Sequence, residues 1–202
     1  MGGYVLPQST TTTGLTDQVR HPPAFIAEQL HVLLAYIHIE PQSAIGNEVQ
    51  NQLQQEAVRF RKYHANTEDI VTASIDGSGG QHSRCRRYVR CLNTKNERYF
   101  GEVDLLFSFS WESRNEDLAL VRVFENVLYS EVDDELFGRV QGLRNRETFL
   151  ACIPVTEIEC TVGILANSFN GMEYIVDRKW NHYGAVTTFD GNLQNTADED
   201  LL

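Results

Sequence analysis

The segment that most constrains this chain is Phe100-Gly101-Glu102-Val103-Asp104-Leu105-Leu106-Phe107-Ser108-Phe109-Ser110-Trp111. Val103, Leu105, Phe107, Phe109 and Trp111 recur at every second position, with Glu102, Asp104, Ser108 and Ser110 between them. Side chains of a strand point alternately to its two faces, so the pattern predicts a half-buried antiparallel strand. Strand-like segments continue to Trp180 without helical spacing between them. A polar loop from Glu112 to Asp117 leads into Leu118-Ala119-Leu120-Val121-Arg122-Val123-Phe124. That segment is apolar on both faces except at Arg122, which predicts a central strand. Val155 to Leu165 alternates again after Pro154, and Met172 to Arg178 returns from Asn170-Gly171. Both residues of that pair tolerate the positive φ of a hairpin turn.

Ahead of this run the period changes. His21-Pro22-Pro23 opens a helical pattern in which Ile26, Leu30, Leu33 and Ile37 share one face, and Pro41 closes it. Ser43 is the expected N-cap of a second helix, with Ile45, Val49, Leu53, Ala57 and Phe60 as its apolar stripe and Gly46 weakening its first turn. Ile70 to Ile75 then predicts a strand, Asp76-Gly77-Ser78-Gly79-Gly80 a loop, and Arg84 to Leu92 a basic strand. The chain divides accordingly into a disordered tail over 1–20, a helical pair over 21–66, an antiparallel β domain over 67–183 and an acidic disordered tail over 184–202. The fold class is α+β.

Charge is unevenly spread. The net charge is −11. Residues 1–99 are close to neutral, whereas residues 100–202 carry seven basic and nineteen acidic side chains. That half is unsuited to lie on nucleic acid or on an anionic membrane. The longest apolar stretch, Leu30 to Ile39, is interrupted by His31 and His38 and is too short for a membrane span. The N-terminus lacks a basic segment followed by an apolar core, so no secretory signal is read and an intracellular location is expected. The cysteines Cys85, Cys91, Cys152 and Cys160 have no C-x-x-C spacing and are expected to be reduced thiols.

Catalytic signatures are missing from the sequence: no phosphate-binding glycine loop, nucleophile elbow or paired-histidine zinc motif is present. Glu131, Asp133, Asp134 and Glu135 lack the glycine and terminal glutamate of a calcium loop and are read as solvated. Neither a catalytic residue, a metal, a cofactor nor a small-molecule substrate is expected. The sharpest local signal is basic: Arg84, Arg86, Arg87, Arg90, Lys95 and Arg98 fall within fifteen residues, with Tyr88 and Tyr99 interleaved. Arginine forks suit phosphates and tyrosines stack on bases, which is one reading of this strand. The competing reading pairs these cations with the acidic second half of the same chain.

The order of Arg86-Arg87-Tyr88, Phe100-Gly101-Glu102-Val103, Leu118-Ala119-Leu120-Val121-Arg122, Ile153-Pro154-Val155, Ile158-Glu159-Cys160-Thr161-Val162-Gly163 and Tyr174-Ile175-Val176-Asp177-Arg178 resembles a domain of mushroom-forming fungi. That domain is itself similar to the terminal region of proteins encoded by the Kyakuja-Dileera-Zisupton group of DNA transposons. The likeness covers roughly residues 84–180. It implies a small antiparallel barrel of SH3-like or BAH-like type, with Gly101 and Gly163 at tight bends. It also implies a non-enzymatic, transposon-derived interaction module with a protein partner, chromatin among the candidates, and a nuclear location. The family's catalytic carboxylates have no counterpart here, so no catalytic residue carries over.

Overall fold

The computed structural model describes residues 13–65, 69–73, 86–112, 114–125, 127–128, 141–143, 147–166 and 173–177. The sheet is built on a long hairpin, β5 (Arg98–Trp111) and β6 (Arg114–Phe124). Gly101 to Trp111 pairs with Val123 to Arg114, with one bulge between Val103 and Leu105. The bulge corrects the simple alternation expected of β5. One extra residue reverses which face the following side chains meet. Val103 therefore packs with Leu106, Ala119 and Val121 in one core. Leu105, Phe107 and Phe109 pack with Leu118 and Leu120 in another.

β6 is central, as its sequence implies, with β5 on one edge and β9 (Thr148–Pro154) on the other. Its Phe124 enters a third cluster with Tyr88 and Phe100. Arg122 lies between these apolar zones and places Nε 2.8 Å from Asp104 Oδ2. The free edge of β5 is long enough for two neighbours. Its first part pairs with β4 (Tyr88–Leu92) and its later part with β2 (Val58–His64). β2 also takes β1 (Gly14–Gln18) and β3 (Ile70–Thr72). From β4 the sheet runs on through β10 (Ile158–Ala166), β11 (Glu173–Asp177), β8 (Gln141–Leu143) and β7 (Val127–Leu128). A 3-10 turn, Val155–Glu157, separates β9 from β10. Every ladder among the described residues is antiparallel.

The α+β class stands, but the sheet is not closed into a barrel. It curls until Thr161 of β10 donates to Asp69 Oδ1 at 2.9 Å, just ahead of β3. No backbone ladder joins β3 to β10 among the described residues. Two neighbours on one edge of β5 splay the sheet, and the three-residue β3 does not bridge the gap. Gly101 lies where the ladders to β4 and β6 are both regular, and what constrains it is a close approach. A Cβ there would lie 2.5 Å from Val121 Cγ1 and 2.6 Å from Arg122 O.

Two segment boundaries are corrected. Residues within the expected disordered tail over 1–20 form β1, held by its ladder to β2 and by Leu15 packing on the first core. The second helix stops at Glu56, and Phe60 reaches the first core from strand β2 instead of from a helical stripe. The turn at Asn170-Gly171, the acidic loop at 131–135 and the tail over 184–202 lie outside the described residues.

α1 (Ala27–Tyr36) and α2 (Ala44–Glu56) cover the second core with Leu33, Leu34, Val49 and Leu53. α1 ends before Pro41. His38 takes φ 59°, its N–H donates to Ala35 O at 3.1 Å, and that of Ile39 donates to Leu34 O at 2.9 Å. This left-handed cap satisfies the last carbonyls without proline. Gln54 of α2 accepts from Phe25 N and donates to Phe25 O, each at 2.9 Å, pinning the approach to α1. Phe25 in turn covers the buried Arg59 guanidinium, 3.8 Å from its ring centroid, and meets Phe107 edge-on at 5.6 Å. No helix among the described residues is long and apolar enough to cross a membrane.

The start of α2 yields a prediction with opposed signs. Ser43 Oγ accepts from Gly46 N–H at 2.9 Å, and a Cβ on Gly46 would collide with Glu40 O and lie 2.9 Å from Pro41 O. Helix propensity alone favours Gly46→Ala by about 1 kcal/mol. Backbone collision reverses this to a loss of about 1–3 kcal/mol. Ser43→Ala loses about 1 kcal/mol with the cap. Urea unfolding followed by circular dichroism reads both as lowered midpoints.

Candidate functional site

The basic strand meets acids. Arg87 Nε lies 2.8 Å from Glu102 Oε1, and its guanidinium carbon is 5.5 Å from the Tyr88 ring centroid. Arg90 Nε donates to Glu159 Oε2 at 2.8 Å, and Arg98 Nε lies 3.8 Å from the same oxygen. Strand pairing explains these contacts. β4 sits between β5 and β10, so Arg90 projects beside Glu159 of β10, and Arg87, just ahead of β4, beside Glu102 of β5. Arg86 precedes β4, where its carbonyl accepts from Thr72 N–H at 3.0 Å. Lys95 is exposed in the turn to β5, its N–H donating to Asn93 Oδ1 at 2.9 Å. Arg84 lies outside the described residues. Of the interleaved tyrosines, Tyr88 is buried in the third core. Tyr99 donates to Glu157 Oε2 at 2.7 Å and packs against the first core.

Cys91 and Cys160 are buried and Cys152 half-buried, all as free thiols. Burial pushes the Cys91 and Cys152 thiols far above their ordinary range. A neutral thiol is neither nucleophile nor metal ligand. Among the described residues no group of three or more His, Cys, Asp and Glu is placed to hold a metal ion.

Two clefts among the described residues lie elsewhere, where the end of α1 meets the β5–β6 hairpin. One cleft of about 470 Å³ is lined by Tyr36, Tyr63, Glu116, Asp117 and the turn at Pro154-Val155-Thr156. A second of about 350 Å³ is lined by Tyr36, Phe109, Trp111, Glu112, Arg114 and Glu116. The Tyr36 hydroxyl donates to Glu116 Oε2 at 3.0 Å between the two. Burial, then Glu116, holds the Tyr36 phenol far above its usual range. Burial, then Asp117, pushes Tyr63 up. Both rings are therefore neutral hydrogen-bond donors at any physiological pH.

Electrostatically the groove differs from the rest of the sheet. Glu102, Asp104 and Glu159 each face an arginine, whereas Glu116 and Asp117 form no ion pair among the described residues. The sequence places Glu112 to Asp117 in a polar loop, yet β6 begins at Arg114. The available signal was three carboxylates around a single arginine. Their meeting with Tyr36 and Tyr63 depends on elements distant in sequence.

No protein-family model, curated protein or solved structure matches this chain.

Thiol chemistry tests the site description. In the native protein at pH 8, Cys91 and Cys152 are expected to react with iodoacetamide more than about tenfold slower than in urea, because only the thiolate attacks. Mass spectrometry of timed samples reads this, and native labelling at the unfolded rate contradicts it.

Proposed function

We propose that this chain is a non-enzymatic protein-interaction module, derived from or associated with a transposon, that works inside the cell and in the nucleus. The observation that carries the reading is the pairing of the basic strand: Arg87 with Glu102, and Arg90 and Arg98 with Glu159. Cations held by a neighbouring carboxylate release few counterions from a phosphate backbone, so they contribute little to nucleic-acid affinity. With a net charge of −11 the chain repels nucleic acid and attracts basic proteins, among which chromatin proteins are the candidate class. An SH3-like or BAH-like ancestry belongs to the same proposal. It is supported by the curl that brings Thr161 of β10 to Asp69 beside β3.

Fluorescence anisotropy with short labelled DNA and RNA, single- and double-stranded, tests the reading across a salt series. No retention at moderate salt is expected. The comparison variant is Arg84→Gln/Arg86→Gln/Lys95→Gln, which leaves the Arg87, Arg90 and Arg98 ion pairs intact. Tight binding that weakens steeply with salt and is lost in this variant would establish the basic strand as a nucleic-acid surface instead.

A further inference from the structure

β6 outruns its neighbour. Its ladder to β9 begins at Leu118, opposite Pro154, and the chain then turns away through Val155–Glu157. Arg114 to Asp117 is laddered to β5 on one edge only. Its outer edge has no ladder partner among the described residues. Asn115, Glu116 and Asp117 of this stretch line the larger cleft. An unladdered edge exposes backbone donors and acceptors that an extended segment can complete by adding a strand.

The side chains around that edge are specific. Consecutive strand residues point to opposite faces. Glu116 takes the face of Leu118 and the second core, where it meets Tyr36 of α1. Asp117 takes the face of Ala119 and the first core, and lines the larger cleft together with Tyr63 of β2. The edge is thus flanked on each side by one carboxylate and one tyrosine ring. Neither carboxylate has an ion-pair partner among the described residues. A guanidinium or ammonium entering either side meets a carboxylate and an aromatic ring, a combination that favours cations.

We propose that this edge is a docking site for an extended, basic segment of a partner protein, which adds as a strand along Arg114 to Asp117 and places adjacent basic residues on the two faces. The first meets Glu116 and Tyr36, the second Asp117 and Tyr63. The occupant is a polypeptide because the edge supplies backbone pairing that a free cation does not use. The pair is adjacent because residues two apart would both fall on one face. The site gives the interaction-module reading a partner chemistry and rests on that reading.

Isothermal titration uses two octapeptides of identical composition in a Thr/Val background, one with adjacent arginines and one with arginines two apart. The adjacent-arginine peptide is expected to bind at least about tenfold more tightly. Glu116→Gln/Asp117→Asn should weaken it by about tenfold or more, whereas the charge-matched Glu48→Gln/Glu56→Gln, on the exposed face of α2, should leave it unchanged. N-methylation of alternate peptide nitrogens should abolish binding. Amide shifts on binding should centre on residues 114–118 in an NMR titration. Equal loss in both double variants, equal binding of the two peptides, spermine binding as tightly as the peptide, or indifference to N-methylation would each overturn the proposal. If neither peptide binds, this site falls while the module reading is decided separately by the nucleic-acid titration.

Discussion

Register along the β5–β6 hairpin is the constraint on which the rest depends. One bulge at Asp104 hands Val103 to the first core and Leu105, Phe107 and Phe109 to the second. Both faces of the hairpin are thereby buried, and each needs its own cover. The curled strands β1 to β4 cover one, and α1 with α2 covers the other. Without the bulge, Val103 would face the helices and leave a gap opposite Ala119 and Val121. A strand slip by one residue exchanges every buried and exposed side chain, which is why such features hold a register so firmly.

Arg122 and Asp104 show how polar groups are accommodated on so apolar a sheet. They sit between the helix-covered core and the Tyr88–Phe100–Phe124 cluster, paired at 2.8 Å. Glu28 of α1 approaches Arg122 at 3.7 Å. Burial raises the Asp104 carboxyl, while Arg122 opposes that shift. Arg87 and Arg90 follow the same pattern with Glu102 and Glu159. Three of the six cations of the basic segment, Arg87, Arg90 and Arg98, join this cross-strand lattice. Against that lattice, Glu116 and Asp117 are distinguished by forming no ion pair among the described residues, although Arg114 lines the smaller cleft with Glu116.

Legibility in the sequence followed the range of the interaction. Local signals were readable: the period-two run of β5, the two-faced apolar β6, Ser43 as a cap, and the helix face carrying Leu33. Signals that local patterning could not resolve were misplaced. Phe60 continues the spacing of α2, yet pairing with Leu106 draws Val58 to His64 into the sheet. The Ser- and Thr-rich N-terminal region looks too polar to order, yet backbone pairing with β2 captures Gly14 to Gln18. The groove was illegible for the same reason: Tyr36 and Tyr63 lie 80 and 54 positions from Glu116 and Asp117.

The amino-acid sequence by itself determined the class and the central hairpin, because alternation and helical spacing act between residues a few positions apart. It also determined the charge imbalance, which is a sum and needs no geometry. Tertiary structure alone decided that the sheet stays open, that Arg87 and Arg90 meet carboxylates of β5 and β10, and that a strand edge with no ladder partner among the described residues lies between two acids and two tyrosines. Those outcomes depend on which distant strands become neighbours. That choice is made by burying both faces of β5 and β6 at once, which no single segment encodes.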